Sequence, residues 1–135
     1  MLKEFHSKFT SEVLQYRICK IALREDQILH IDIKSDEQFG IDDFKDCMAG
    51  ALELGKGRKF ANLITVGKYT LADHAAREAS TKESGCKYKT ADAFVISSVS
   101  QKLIANFYMN FHKPFAPTRF FNNVDDAIKW VKKYV

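Results

Sequence analysis

Two apolar runs constrain the fold of this chain more than any other feature of its sequence. The segments "KFANLITV" (59–66) and "ADAFVISS" (91–98) are almost continuously apolar and have the length of β-strands. A strand with one solvated face alternates apolar and polar residues, whereas a strand of a parallel sheet is covered on both faces and does not. The two runs therefore predict strands at the centre of a parallel sheet with helices on both sides.

An antiparallel hairpin is predicted before these strands. Its two strands are "VLQYRICKIAL" (13–23) and "ILHIDIK" (28–34), and the turn between them is "REDQ" (24–27). The second strand alternates, so its two faces are predicted to be Leu29, Ile31 and Ile33 on one side and Ile28, His30 and Asp32 on the other.

Two helices are predicted between the strands. Residues 40–57 carry an apolar stripe with the helical period and reach a helix end at Gly55. Residues 70–85 open with a Thr-x-x-Asp pattern, in which Thr70 would cap the amide of Asp73. The predicted buried faces are Ile41, Phe44, Met48, Ala51 and Leu52 in the first helix and Leu71, Ala75 and Ala79 in the second.

The last third of the chain completes an alternating pattern. We expect a short helix over 100–111, a strand over 118–121 and a final helix capped by Asn122 or Asn123. The predicted order is β-β-α-β-α-β-α-β-α, which is an α/β fold with a mixed sheet of about five strands. All 135 residues are expected to form a single domain, with 1–11 as a polar N-terminal segment.

Charge and cysteine usage exclude several classes of protein. The formal net charge is +4, but the basic residues are scattered rather than arranged in a stripe beside stacking aromatic residues, so we expect no nucleic-acid binding. No stretch has the length and hydropathy of a membrane span. The three cysteines, Cys19, Cys47 and Cys86, are widely separated and odd in number, which favours reduced thiols and a cytoplasmic location.

The sequence contains no convincing catalytic, metal or cofactor motif. "GALELGKG" (50–57) approaches the phosphate-binding P-loop pattern, but Gly57 stands where a magnesium-binding hydroxyl is needed. His74 and Glu78 share a helix face, yet no third ligand has a supporting spacing. We therefore expect a protein that is not an enzyme and that uses no cofactor.

Three polar residues are candidates for a regulatory or ligand site. Ser97 and Ser98 follow a buried strand, at the sheet edge where α/β proteins bind ligands, although they can equally end the strand and cap the next helix. Thr70 lies before a predicted helix N-terminus, where a phosphate would be stabilised, although a simple N-cap also explains it.

The segment 102–115 carries more apolar surface than one buried helix face requires. We favour a self-association surface around the aromatic helix 102–111, and the alternatives are simple core packing and a pocket for an apolar ligand. The apolar residues of this segment are Leu103, Ile104, Phe107, Tyr108, Met109, Phe111 and Phe115.

The C-terminal residues carry a resemblance to a known family. "ADAFVISSVSQKLIANFYMNFHKPFAPTRFF" followed by "NNVDDAIKW" resembles STAS-type domains, the SpoIIAA-like fold of bacterial anti-sigma-factor antagonists, and more closely a group of small bacterial STAS/SEC14-like proteins. In antagonists of this type, a serine that follows an aspartate at a helix N-terminus is phosphorylated. Only Thr70 stands at the corresponding place in this chain, and the Asp-Ser pair is missing.

The resemblance implies a cytoplasmic, non-enzymatic domain that acts through protein contacts, with relatives of the fold that bind lipids or nucleotides. We therefore expect a regulatory or protein-interaction module that forms a homodimer or binds another protein. The alternative is a carrier or sensor of an apolar small molecule or lipid, in a pocket lined by the same aromatic segment.

Overall fold

The computed structural model describes residues 11–111 and 113–135, with the backbone alone at Phe111. The strands in chain order are β1 (Leu14–Gln15), β2 (Cys19–Leu23), β3 (Ile28–Ile33), β4 (Gln38–Phe39), β5 (Phe60–Val66), β6 (Leu71–Ala72), β7 (Lys89–Val95) and β8 (Thr118–Phe121). The helices are α1 (Ile41–Gly55), α2 (His74–Thr81), α3 (Val99–Phe111) and α4 (Val124–Val131), with 3-10 turns at Glu83–Cys86 and Lys132–Tyr134. Within these described ranges, no helix has the length and apolar character needed to cross a bilayer.

Six strands form a mixed sheet in the order β1-β2-β3-β5-β7-β8. The first three strands are antiparallel, and β3, β5, β7 and β8 run parallel to one another. The predicted α/β class, the N-terminal hairpin and the parallel centre are thus confirmed. The sheet has six strands because the predicted first strand (13–23) is divided into β1 and β2. A turn separates the two, and in it the amide of Tyr16 donates to the carbonyl of Cys19 at 2.8 Å.

The two central strands are covered on both faces, as their composition predicts. On one face, Ile64 of β5 joins the cluster that contains Leu29 and Ile31 of β3. On the other face, Leu63 packs in a cluster with Val131 of α4. The alternation of β3 is therefore as predicted, and each face of the sheet has its own apolar core.

Helix α1 is anchored at its N-terminus by a buried acid. The Asp43 carboxylate accepts a hydrogen bond from the Gly40 amide at 2.9 Å. It also forms an ion pair with the Arg17 guanidinium at 2.7 Å. At Gly50, a Cβ atom would lie 2.7 Å from Ile21 Cδ1, so a larger residue there would displace the Ile21 side chain or the helix. The prediction that Leu52 belongs to the buried face is wrong, because its side chain is exposed and the helix buries Cys47, Gly50 and Ala51 instead.

Helix α2 begins later than the sequence pattern predicts. Its N-cap is Asp73, whose carboxylate accepts from the amide of Ala76 at 2.9 Å. The Thr70 hydroxyl donates instead to the carbonyl of Lys34, and the two residues after it form β6 against β4. A contact with a distant loop therefore overrides the local capping pattern. The buried face of the helix also differs from the predicted one, since Ala76 is buried and Ala75 is exposed.

Helix α4 closes the second face of the sheet. Asn123 is its N-cap and accepts from the amide of Asp126 at 2.9 Å. Ala127 and Val131 are fully buried, and Trp130 packs beside them against Phe121. This arrangement matches the predicted cap at Asn123.

A buried histidine takes part in a hydrogen-bond network in the sheet. The Thr65 hydroxyl donates to Asp32 Oδ1 at 2.6 Å, so it must accept the hydrogen bond that joins it to His30 Nε2 at 2.9 Å. Burial, with a smaller contribution from Arg24, lowers the pKa of His30 to about 3. His30 is therefore neutral in the folded protein at all ordinary pH values.

We expect His30 to make the fold sensitive to acid. Between pH 6.5 and 3, the unfolded chain protonates this histidine and the folded chain does not, so stability falls as the pH falls, by about 2 to 3 kcal/mol at pH 4.5. In His30→Gln, whose amide can still donate to Thr65, the free energy of unfolding measured in urea should lose this part of its pH dependence. The matched control is the exposed His74→Gln, and parallel pH profiles for wild type and His30→Gln would contradict the prediction.

Candidate functional site

A cavity of about 170 Å³ lies between the sheet and helices α1, α2 and α3. Its floor is formed by the strand residues whose side chains point away from α4, and its roof comes from the three helices. The lining is predominantly apolar. The floor includes Ile31, Ile64, Val66, Phe94 and Phe120, and the roof includes Phe44, Met48, Ala76, Ile104, Ala105 and Tyr108.

The cavity exists because α3 presents a small residue at the centre of its inner face. The buried residues of α3 are Gln101, Ala105 and Tyr108, which recur at helical spacing. Ala105 leaves open space above the strands that a larger apolar residue would fill. Among the described residues, neither apolar core cluster includes a side chain of α3. This helix is therefore held over the sheet without close apolar packing beneath it.

A single buried amide fastens the N-terminal end of α3. The Gln101 side chain donates to the carbonyls of Gly67 and Thr70 at 2.7 and 2.8 Å, and it accepts from the amides of Ser97 and Ser98 at 3.0 and 3.2 Å. The Ser98 hydroxyl in turn accepts from the Gln101 amide, so the two residues form a capping box. The four side-chain bonds join the loops that follow β5 and β7 to the start of the helix.

One part of the cavity wall is polar. The Lys89 ammonium donates to Asp92 Oδ2 and to the carbonyl of Ser80, and Asn62 Nδ2 donates to Asp92 Oδ1 at 3.0 Å. Burial opposes ionisation of Lys89, but the charge and hydrogen bond of Asp92 outweigh it and raise the pKa of Lys89 above its usual value. Lys89 and Asp92 thus form a buried, mutually neutralising ion pair beside the apolar space.

The lining contains a thiol whose pKa is raised. The Cys47 thiol lines the cavity, but its hydrogen bond with Cys19 and its burial raise its pKa well above the usual value. A neutral thiol is a weak nucleophile. No three metal-ligating side chains of residues 11–111 and 113–135 lie close enough to hold an ion. The exposed pair His74 and Glu78, 3.0 Å apart, lies on the surface of α2.

The structure divides the predicted aromatic segment between two faces of α3. Ile104 and Tyr108 face inward and line the cavity. Val99, Leu103 and Phe107 recur every four residues on the outer face and are 59 to 73% exposed, and Phe115 after the helix is 58% exposed. We call these four residues the outer apolar face. The Phe111 side chain lies outside the described residues, so its predicted role stays a prediction.

The three polar candidates lie next to the cavity or at its rim. Thr70 lines the cavity and is 2% exposed, and its hydroxyl also accepts from the amide of Glu37 at 3.3 Å. Ser97 is exposed at the end of β7, and Ser98 is partly buried as the cap of α3. Their predicted roles as phospho-acceptor and ligand residues stay predictions, and phosphorylation of Thr70 requires that its loop first open.

Comparison with known proteins identifies the family and supports the fold. A family profile described as a domain of unknown function, DUF7793, matches residues 21–135. The chain belongs to the DUF7793 family. No curated protein sequence matches it significantly. Its structure is similar to that of an uncharacterized protein of the DUF3478 family from Shewanella loihica PV-4, which has a SpoIIAA-like fold.

That structural match has a TM-score of 0.52 and 15% sequence identity, and it covers 89% of this chain and 90% of the other. An identity this low establishes the fold and nothing about activity. The SpoIIAA-like fold that the sequence resemblance predicts for this DUF7793 chain is therefore confirmed.

The polar residues of the cavity wall are not among the site residues predicted from the sequence. Asn62 and Asp92 interrupt the two apolar runs, and they lie side by side in the register of β5 and β7. A buried polar residue in a central strand needs a hydrogen-bond partner, so these interruptions are the signal that points to a site. Lys89 and Gln101 carry no comparable signal, because lysine and glutamine are ordinary on a strand end and a helix surface.

We expect Gln101 to be essential for the position of α3. Gln101→Met keeps the side-chain volume but leaves four buried or partly buried backbone groups without their side-chain partner, so it should lower the free energy of unfolding by about 2 to 4 kcal/mol. The matched control is Lys102→Met on the exposed side of the same helix, which should change stability by less than about 0.5 kcal/mol. Urea denaturation measures both, and equal stability of the two variants would refute the role of Gln101.

Proposed function

We propose that this chain is a non-enzymatic regulatory module that binds a small apolar molecule in the cavity beneath α3. The observation that carries the proposal is the 170 Å³ apolar space between that helix and the sheet. We further propose that the module is a single domain and acts in the cytoplasm, where the reducing environment suits its three free cysteines.

The energetic cost of unfilled space in a protein interior supports the proposal that this cavity binds a ligand. Protein interiors are close-packed, and an internal space destabilises the fold by about 24 cal/mol per Å³. The cavity here is about 170 Å³ and partly open to solvent, and its apolar lining lacks the contacts that a close-packed core would give it. A ligand that fills the space recovers part of this energy, so the bound form is the more stable one.

The position of α3 connects the cavity to the surface. Ile104 and Tyr108 line the cavity, while Leu103 and Phe107 belong to the outer apolar face. Occupancy of the cavity therefore acts on the same helix that a partner would contact. Thr70 and the Ser97–Ser98 pair adjoin the Gln101 tether, and in this proposal they are the places where modification or loop motion changes the position of α3.

The test of ligand binding uses toluene as an apolar probe and a variant that fills the cavity. We expect toluene to raise the melting temperature of the wild type, since a ligand at 100 times its Kd stabilises by about 2.7 kcal/mol. In Ala105→Leu, the larger side chain occupies the space and should abolish the shift. Differential scanning fluorimetry and NMR chemical-shift titration measure the effect.

The matched control for cavity filling is Ala75→Leu, which adds the same atoms at an exposed position of α2. This variant should respond to toluene as the wild type does. A wild type that shows neither a melting shift nor chemical-shift changes at saturating toluene would overturn the proposal.

Self-association is a second candidate, favoured by the exposure of Val99, Leu103, Phe107 and Phe115. Large apolar side chains exposed together at successive turns of one helix are typical of an interface. We propose that a second copy of the chain covers the outer apolar face. The same surface offers the place for a different protein partner.

Phe107→Asp tests the interface. Because a charge at its centre cannot be buried without a partner, this variant should be a folded monomer where the wild type sediments as a dimer at micromolar concentration. The control Asn106→Asp adds the same charge at the neighbouring exposed position and should remain a dimer. A monomeric wild type, or loss of the folded state in Phe107→Asp, would rule out this candidate.

A further inference from the structure

The polar wall of the cavity contains one buried hydrogen-bond acceptor without a partner. Asn62 lines the cavity and is 6% exposed, and its Oδ1 atom has no hydrogen-bond partner within residues 11–111 and 113–135. Buried polar atoms almost always have a partner, so an acceptor left over at a cavity wall indicates a missing donor. The missing donor can be supplied by a molecule in the cavity.

The orientation of the Asn62 amide is fixed by its neighbours. Asp92 is held by the Lys89 ammonium, and as a carboxylate it can only accept hydrogen bonds. The NH₂ group of Asn62 must therefore face Asp92, and it donates to Oδ1 of that residue at 3.0 Å. A flipped amide would place two acceptors against each other, so the group that remains for a ligand is the carbonyl oxygen of Asn62.

The charge balance of the wall determines the charge of the ligand. Lys89 and Asp92 are both buried, and they neutralise one another. Beside this pair an ionised ligand would have no counter-charge, which is unfavourable, and the other charged side chain of the described lining, Arg77, donates to the carbonyl of Ala72. The site therefore favours a neutral molecule, and its carbonyl acceptor favours one that carries an OH or NH donor.

The volume of the cavity limits the size of the ligand. An engineered protein cavity of about 150 Å³ binds benzene, so a space of 170 Å³ holds a molecule close to one ring in size. A long acyl chain exceeds this volume, whereas a single ring matches it. The stacked rings of Phe94 and Phe120, 4.9 Å apart, supply aromatic surface to the floor of the cavity.

We propose that the ligand of this cavity is a small, neutral, single-ring compound whose OH or NH group donates a hydrogen bond to Asn62 Oδ1. This inference rests on the proposed function, because it names the ligand class of the same site. Phenol is the simplest member of the class. Toluene has the same shape and the same number of heavy atoms, but it has no donor.

The test compares phenol with toluene in the wild type and in Asn62→Leu. NMR titration of each protein gives four dissociation constants. The ratio of phenol affinity to toluene affinity should fall about tenfold in Asn62→Leu, since the hydrogen bond is lost while the apolar contacts remain. The ratio cancels the different hydration of the two compounds. The control Asn106→Leu, at an exposed asparagine of α3, should leave the ratio unchanged.

A second comparison uses the wild type alone, so that it stands even if Asn62→Leu does not fold. Anisole carries the ring and the oxygen of phenol without the donor, and benzoate carries a charge. Both should bind more weakly than phenol, anisole by about tenfold because it has no donor, and benzoate because its charge would lie beside an ion pair that is already neutralised.

The outcomes separate this inference from the proposal it rests on. If toluene binds but phenol shows no preference that depends on Asn62, the hydrogen bond to the ligand is wrong and the apolar site stands. Binding of benzoate as tight as that of phenol would also overturn the inference. If neither toluene nor phenol binds the wild type, both the ligand class and the ligand-binding function fail.

Discussion

The arrangement of this protein around its cavity depends on the side-chain amide of Gln101. Its four hydrogen bonds join the loops after β5 and β7 to the first turn of α3, and they hold the helix at a fixed height above the sheet. Apolar packing does not set that height, because the buried residue between Gln101 and Tyr108 is the small Ala105 and no described side chain of α3 belongs to either apolar core cluster. A polar tether combined with a small central residue therefore leaves a space that tight packing would close.

The two faces of the sheet consequently differ in role. On the α4 face, Ala61, Ala91 and Ala93 allow Ala127 and Val131 to pack directly onto the strands, and this core is fully buried. The opposite face contains the cavity and the polar wall. Because sites that bind ligands sacrifice stability, a fold with an apolar core on each face can tolerate a space on one of them. The Lys89–Asp92 pair, which apolar residues could replace, lies on the cavity face of the sheet. That is the face where a ligand is proposed to bind.

The sequence predicts the strands far better than the site. The apolar runs at 59–66 and 91–98 identify the parallel centre, since burial on both faces is a property of composition alone. The Thr70 pattern misleads, because the hydroxyl satisfies the carbonyl of Lys34, which is distant in the chain. The excess apolar surface of 102–115 is visible in the sequence, but its division between Ile104 inside and Leu103 outside depends on how α3 sits on the sheet. Asn62 is recognisable only as a polar interruption until its neighbour Asp92 is placed beside it.

The cavity and the polar wall are best understood together. An empty space of this size and an unsatisfied buried acceptor are separate penalties, and the acceptor alone costs about 1 to 3 kcal/mol. A molecule that only filled the space would leave the Asn62 oxygen without a donor, and a water molecule that only satisfied the oxygen would leave the apolar walls without contacts. A ring with one donor group removes both penalties at once. Helix α3 forms part of the roof of the cavity, so a bound ligand stabilises the position of this helix. The outer face of the same helix carries exposed apolar residues. Ligand binding in the cavity and partner binding at the surface are then coupled through α3.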